Sequence, residues 1–370
     1  MTMKAVVFHG AFDVKVEDRP KPTIKDDTDA LVKVELAGLC GSELHMFRGH
    51  QKTKTGHIMG HEFVGVVDSV GPKVTKYKPG DRVVSVFATV CQTCWFCQRG
   101  LGNRCANSLA FGTQQLDGGQ AEYVRVPFAE GTLQHVPPNL DERLLVMMCD
   151  IFPTGYYGAM RAIEFIGKPL LPQAVQNGSG HEKRAATFEP QALKDTVFVV
   201  LGCGPVGICA VLTALSKGVG TVYVVDAVDE RLAEAEAVGG KPLKLGRDDI
   251  QEIVMKATDG RGADAVVEVV GNKPALKSAI DLVRVCGIIS SIGFHQSELP
   301  FTAFEAYQKN VTLNFGRAPI STLFPEALEC LRENKEKVAA FISHEIPLAQ
   351  APHGYDIFEK YQARKVVFKV

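Results

Sequence analysis

At 370 residues the chain has length enough for two domains, each burying its own core. Its 46% apolar and 22% charged residues are ordinary for a globular protein. A net charge of −1 excludes both the basic field of a nucleic-acid binder and the acidic excess of a disordered chain. With no run of about 18 apolar residues and no basic-then-apolar leader at Met1, the reading is a cytoplasmic protein with no membrane partner. In such a reducing compartment its ten cysteines are more often thiols or metal ligands than disulfides.

The first zone, residues 1 to about 155, is strand-like and turn-rich. Ala30–Ala37, Phe63–Val70 and Arg82–Val86 are β-branched runs bounded by Gly, Pro and Asp, as a mostly β domain requires. Cys40 follows the first run, and His61 comes 21 residues later within Gly60-His61-Glu62. One Cys and one His beside strands can supply two ligands of a catalytic zinc, which needs a third protein ligand and one exchangeable position. Asp150 and its neighbour Cys149 are the candidates for the third. Asp150 stands in an apolar stretch where a lone carboxylate is costly to bury unless paired or metal-bound.

Between these segments lie Cys91, Cys94, Cys97 and Cys105, a C-x2-C-x2-C-x7-C pattern that takes four of the ten cysteines into fifteen residues. Four thiolates so close can wrap a tetrahedral ion and leave no position open, so the site is structural. An iron–sulfur cluster is the rival. The lack of a proline after Cys105 and of a second cluster-like set favours zinc. Arg99 and Arg104 are too few basic residues for a nucleic-acid-binding zinc ribbon.

From Ala162 to Lys194 the chain carries three prolines around Gln-Asn-Gly-Ser-Gly, longer than a usual connection, and reads as an inserted surface loop. Strands and helices then alternate. Thr196–Leu201, Thr221–Val225, Ala265–Val270 and Gly287–Ile292 read as strands, and Val206–Lys217 and Ala227–Val238 as helices, the pattern of a parallel doubly wound sheet. The first strand runs into Gly202-Cys203-Gly204-Pro205-Val206-Gly207, a Gly-x-Gly-x-x-Gly turn opening a helix. Its glycines permit the tight turn, the approach of a pyrophosphate and the packing of helix on strand. Asp226, 24 residues after Gly202, would accept a ribose 2′-hydroxyl and repel a 2′-phosphate, favouring NAD, while the nearby Arg231 can neutralise such a phosphate. The tail holds a helical stretch, Phe324–Asn334, and the strand-like Lys365–Val370. It is too short to fold alone and is expected to return to the first domain.

Cys40-Gly-Ser-Glu-Leu-His45, Gly60-His61-Glu62, Gly80-Asp81-Arg82-Val83, the four-cysteine lobe, Pro153-Thr154-Gly155 and Gly202–Gly207 together resemble the zinc-dependent medium-chain alcohol dehydrogenases over nearly the whole chain. The resemblance implies an α/β fold. A GroES-like β-rich catalytic domain (1–155 and 317–370) would accompany a Rossmann domain (156–316, with the insertion near 163–194), with substrate and nicotinamide in the cleft between them. It implies two zincs per chain and NAD. The family places its third zinc ligand four residues before the Thr-Gly, which selects Asp150. Most alcohol-active members have Cys there and many polyol-active members Glu. The Asp looks most like that of glutathione-independent formaldehyde dehydrogenases.

Carried over residue by residue, Cys40, His61 and Asp150 would hold zinc, with Glu62 an acid able to approach it during ligand exchange. Ser42 would take the alcohol proton, with His45 ending a relay to solvent. Thr154 and Val206 would press the nicotinamide into place, and Phe87 would line the substrate pocket. Hydride would pass between an alcohol and NAD, or back to an aldehyde or ketone, in a homodimer or homotetramer. A polyol or sugar dehydrogenase, an aldehyde dehydrogenase or dismutase, and a non-catalytic NAD-binding protein are the alternatives.

Overall fold

The β-branched runs extend into strands whose partners are supplied from distant parts of the chain. The computed structural model describes residues 1–137, 139–167 and 191–370, and these form two compact units, Met1–Pro153 with Ala318–Val370, and Thr154–Arg317.

In the first unit β1 (Thr2–Gly10) and β2 (Asp13–Pro20) form an antiparallel hairpin. The larger sheet begins with β3 (Ala30–Leu39), β4 (Phe63–Val70), β5 (Arg82–Ser85), β6 (Tyr123–Val126) and β7 (Leu133–His135). The second unit contributes β8 (Val197–Leu201), β9 (Thr221–Asp226), β10 (Lys241–Lys244), β11 (Ala263–Glu268), β12 (Val283–Ser291) and β13 (Thr312–Phe315). The chain then returns to the first unit with β14 (His344–Pro347) and β15 (Val366–Lys369). The first sheet runs in the order β14-β15-β3-β4-β5-β7, with β6 also on β3. The tail is thus part of the first unit's sheet: β15 pairs antiparallel with β3, Val366 opposite Leu39 and Phe368 opposite Ala37.

The second sheet runs β10-β9-β8-β11-β12-β13, with every neighbouring pair parallel. Its central strands β8 and β11 are buried along their whole length, as strands covered on both faces must be; β8 accordingly reads as an unbroken apolar run, whereas β11 also carries the buried acids Asp264 and Glu268. The order places a reversal between β8 and β11, where such sheets leave a crevice at the carboxyl ends of their strands.

Each unit has its own apolar core. Phe63, Leu39, Val366, Phe368 and Tyr355 belong to the first, and Val199, Val266, Leu276 and Ile289 to the second. The expected loop from Ala162 is corrected at its start, because a helix runs over Ile151–Ile166 and Ala162, Ile163 and Ile166 are buried on it. Packing of that apolar face outweighs the loop-like composition that follows. Residues 168–190 of the proposed insertion lie outside the described residues. Among the described residues no helix is long and apolar enough to cross a membrane.

Phe368 is fully buried and a Cβ added to Gly354 would touch its ring at 2.7 Å, so the ring fills its space closely. Phe368→Ala is expected to cost about 3–5 kcal/mol, read as a lowered denaturant midpoint. A midpoint equal to the parent's would show that the tail strand does not stabilise the unit.

Candidate active site

Two groups of metal-ligating side chains converge in the first unit. The donor atoms of Cys40, His61, Glu62 and Asp150 lie within 4.8 Å of one another, and so do those of Cys91, Cys94, Cys97 and Cys105.

In the first group, Cys40 follows β3 and Glu62 precedes β4, the neighbouring strand, so strand pairing sets the residues side by side; the Gly38 nitrogen donates to the Glu62 carbonyl at 2.9 Å. Asp150 arrives from 110 residues away. Its Oδ2 lies 4.0 Å from Cys40 Sγ and 3.5 Å from His61 Nε2. Cys149 points elsewhere, its thiol 3.5 Å from the Phe63 carbonyl and 3.7 Å from that of Leu145, and burial pushes it well above its ordinary pKa. The Asp150 side chain is 21% exposed, so the cost of burying a carboxylate is smaller than the sequence suggests, and convergence with Cys40 and His61 is the stronger argument.

The surroundings are anionic. Glu43, on the helix Glu43–Phe47, is buried; its Oε2 accepts from the Cys40 nitrogen at 2.9 Å, and Oε1 lies 3.7 Å from His61 Nδ1. Burial alone would push the His61 imidazole down, but the Cys40, Asp150 and Glu43 groups outweigh it and hold the ring well above its usual range. Glu62 is fully buried and its Oε1 has no hydrogen-bond partner among the described residues. A thiol, an imidazole and two carboxylates of this kind, with one buried oxygen unspent, suit a borderline divalent ion such as zinc.

Lys365 is a residue that sequence reading missed. It is fully buried, forms an ion pair with Glu62 Oε2, and donates to the Leu39 carbonyl at 3.2 Å. The β15–β3 register explains its position, since Val366 opposite Leu39 brings Lys365 up to the Cys40 end of β3. Burial would push the ammonium down; Glu62, Cys40 and Glu43 reverse this and hold it above its ordinary value. Gln120 completes the layer, donating to the Gly38 carbonyl at 3.0 Å and accepting from the Tyr355 hydroxyl at 2.9 Å. A lysine immediately before the apolar Val366-Val367-Phe368 run was the available signal.

Ser42 and His45 are both exposed. Ser42 occupies the N-cap of the helix Glu43–Phe47 without a side-chain capping bond, so its hydroxyl is not committed there. The surrounding protein, then the Arg48 and His50 charges, hold the His45 imidazole below its ordinary range. Phe87 is half-buried and its nitrogen donates to the Cys149 carbonyl at 3.2 Å, next to Asp150.

The four-cysteine lobe is tied by backbone donors to sulfur. Cys91 N lies 3.4 Å from Cys105 Sγ, Cys94 N 3.4 Å from Cys91 Sγ, and Ala106 N 3.5 Å from Cys94 Sγ. Burial raises the Cys91 thiol, but the Thr93 and Asn107 side chains with the Cys94 and Thr93 backbone bring it down to about 5. Burial and the adjacent Cys94 and Cys105 push Cys97 up. Four thiols cannot all ionise here without a cation among them, and a tetrahedral ion fits the set.

In the second unit the glycine turn has the form the sequence suggests. Gly202 has φ +100°, and a Cβ on Gly207 would fall 1.9 Å from the Gly202 carbonyl oxygen. A Cβ on Gly204 would meet nothing within 4 Å, which leaves open space against the backbone at the start of the helix Pro205–Ser216. Asp226 Oδ2 accepts from Cys203 N at 2.8 Å, and its Oδ1 from Ala227 N and Val228 N at 2.8 and 3.0 Å. The carboxylate therefore also shapes the turn. Arg231 Nη1 lies 3.7 Å from it. A Cβ on Gly155 would lie 2.5 Å from the Val206 carbonyl, so the backbone beside Thr154 packs directly on the turn bearing Val206.

Residues 26–137 match the alcohol dehydrogenase GroES-like domain family, and residues 205–333 the zinc-binding dehydrogenase family. The chain is 41% identical over 369 residues to zinc-type alcohol dehydrogenase B of Aspergillus flavus, covering 99% of this chain and 81% of that protein. It is 46% identical over 309 residues to the medium chain reductase/dehydrogenase ucsI of Acremonium, covering 83% and 98%. Among solved structures, alcohol dehydrogenase TADH from Thermus sp. ATN1 superposes with a TM-score of 0.88 at 32% identity, covering 100% of both chains.

Replacing one partner of the fully buried Lys365–Glu62 pair strands the other charge. Lys365→Met is expected to cost about 3–5 kcal/mol in denaturant unfolding, and the double variant with Glu62→Gln to recover most of it. Additive losses would show that the two side chains do not depend on each other.

Proposed function

The chain belongs to the zinc-dependent medium-chain alcohol dehydrogenase family, and we propose on that premise that it is an NAD-dependent enzyme moving hydride between an alcohol and NAD. The observation that carries this reading is the convergence of the Cys40, His61 and Asp150 donors on one point of the first unit. Cys40, His61 and Asp150 would hold the catalytic zinc, leaving a position for an exchangeable ligand, and Glu62 would stand beside it. When bound, the ion supplies Lewis-acid polarisation of the substrate oxygen. Cys91, Cys94, Cys97 and Cys105 would enclose a second, structural zinc. The Cys40 thiolate and Asp150 carboxylate offset a divalent charge, and a carboxylate is a harder donor than a second thiolate.

Ser42 takes the proton leaving the alcohol, since its hydroxyl is exposed and unspent on capping. His45, one helical turn on, passes it to solvent. Phe87, bonded beside Asp150, lines the substrate pocket. Thr154 and Val206 bear on the nicotinamide, Gly202, Gly204 and Gly207 admit the pyrophosphate, and Asp226 accepts the ribose 2′-hydroxyl. Arg231 turns its charge toward Asp226, which suits NAD over NADP.

Ten cysteines held as thiols suit a cytoplasmic setting. Self-association as a dimer or tetramer is supported by the edge strand β13, beside which Leu299, Phe304, Tyr307 and Phe315 are exposed.

Metal analysis is expected to find about two zincs per chain. Asp150→Ala should lose one zinc and the activity, while Cys149→Ala keeps both; the reverse pattern would move the third ligand to Cys149. Assays with alcohols, polyols and aldehydes should show faster turnover with NAD than with NADP. Because Asp226 also holds the turn, Asp226→Ala should raise KM for NAD and narrow that preference. An unchanged NAD-to-NADP ratio would contradict its role, and no turnover with any of the panel would contradict the enzyme reading.

A further inference from the structure

Three turns meet at the carboxyl edge of the parallel sheet: the one after β8 at Gly202, the one after β11 at Val269–Gly271, and the one after β12 at Gly293–His295. A Cβ on Gly202 would lie 2.8 Å from the Val270 side chain, and one on Gly293 would lie 2.3 Å from the Gly271 nitrogen. Among these turns sits a polar cluster that the reading above does not use.

Glu268, the last residue of β11, is fully buried. Its Oε1 accepts from the Val270 and Gly271 nitrogens at 2.8 and 2.7 Å. Its Oε2 accepts from Ser291 Oγ at 2.8 Å and lies 2.8 Å from His295 Nε2, while Ser291 Oγ is 3.0 Å from that same nitrogen. The His295 ring also stands edge-on to Phe315, with centroids 6.0 Å apart.

A serine, a histidine and a carboxylate suggest a nucleophile relay, but the geometry excludes one. A relay needs the serine on one ring nitrogen and the carboxylate on the other. Here both face Nε2. The cluster instead fixes the ring: with Nε2–H donated to Glu268, neutral His295 keeps Nδ1 as an acceptor, and the side chain is still 14% exposed.

The position of the ring on the sheet indicates what it would meet. In a doubly wound sheet each half takes one nucleotide, and the glycine turn after β8 with the acid ending β9 takes the adenosine side. The other half lies across the carboxyl ends of β11, β12 and β13, where Glu268, Ser291 and Phe315 are. We propose that His295, held by Glu268 and Ser291, is a positioning residue that accepts a hydrogen bond from the nicotinamide nucleoside of NAD, from a ribose hydroxyl or the carboxamide amine. The assignment rests on the NAD reading above.

ADP-ribose, which lacks the nicotinamide, separates this role from simple bracing of the turn. NADH and ADP-ribose are titrated against the zinc-loaded parent, His295→Ala and His295→Gln, by NADH fluorescence and calorimetry. His295→Ala should bind NADH about tenfold more weakly and ADP-ribose as the parent does. His295→Gln, whose amide can donate to Glu268 and still accept, should recover part of the loss. Equal NADH affinity in the parent and His295→Ala would overturn the proposal, as would equal losses for both ligands. A parent that binds neither ligand would overturn the NAD reading and this assignment with it.

Discussion

The first unit is organised around an electrostatic constraint: Cys40, Glu43, Glu62 and Asp150 bring thiol and carboxylate groups together in a largely buried place. Anions removed from water are tolerated only when charge and hydrogen bonds replace the lost solvation. Lys365 supplies one positive charge through Glu62, and the Cys40 backbone nitrogen and Gln120 supply donors to Glu43 and Gly38. The remaining donors, on Cys40, His61 and Asp150, are left facing one another, which is the arrangement a divalent ion satisfies. The β15–β3 pairing is therefore more than a way to end the chain, because without it Lys365 would not reach the end of β3.

The second unit solves a different problem, that of bringing backbone close to backbone. Gly207 lies against the Gly202 carbonyl, Gly155 against the Val206 carbonyl, and Gly293 against Gly271, contacts a Cβ at any of the three would obstruct. Two buried acids then fix the turns these approaches create. Asp226 ties the turn after β8, through Cys203 N, to the turn after β9, through Ala227 N and Val228 N, and Glu268 holds the turn after β11 through the Val270 and Gly271 nitrogens. Burial of such acids, complete for Glu268 and nearly so for Asp226, is tolerated because the polypeptide itself supplies their donors. The same hydrogen bonds hold backbone at the carboxyl edge of the sheet, where ligands of this fold class bind.

Local chemistry made much of this legible. The spacing of Cys91, Cys94, Cys97 and Cys105 keeps four thiols within short reach, so their convergence needed no tertiary information. The turn from Gly202 to Gly207 likewise lies within one strand–turn–helix segment. β4 was bounded correctly at Phe63–Val70 because its β-branched run is flanked by a polar pair and a glycine. The proline-rich composition from Ala162 onward reads as loop, whereas burial of Ala162, Ile163 and Ile166 keeps the last turns of the helix Ile151–Ile166 helical.

By itself the sequence determined which donor types exist, the local geometry of the four-cysteine and glycine motifs, and the alternation that makes the second sheet parallel. These depend on neighbours within a few residues, where chain connectivity limits the outcomes. The residues alone leave Asp150 and Cys149 open and the family resemblance selects Asp150; only the tertiary structure brings Asp150 to Cys40 across 110 residues, Lys365 to Glu62 across 303, and His295 to Glu268 across 27. Lys365 is placed by the β15–β3 register, Asp150 by the turn between the helices Glu142–Met148 and Ile151–Ile166, and His295 by the turn after β12, none of which is set by neighbours within a few residues.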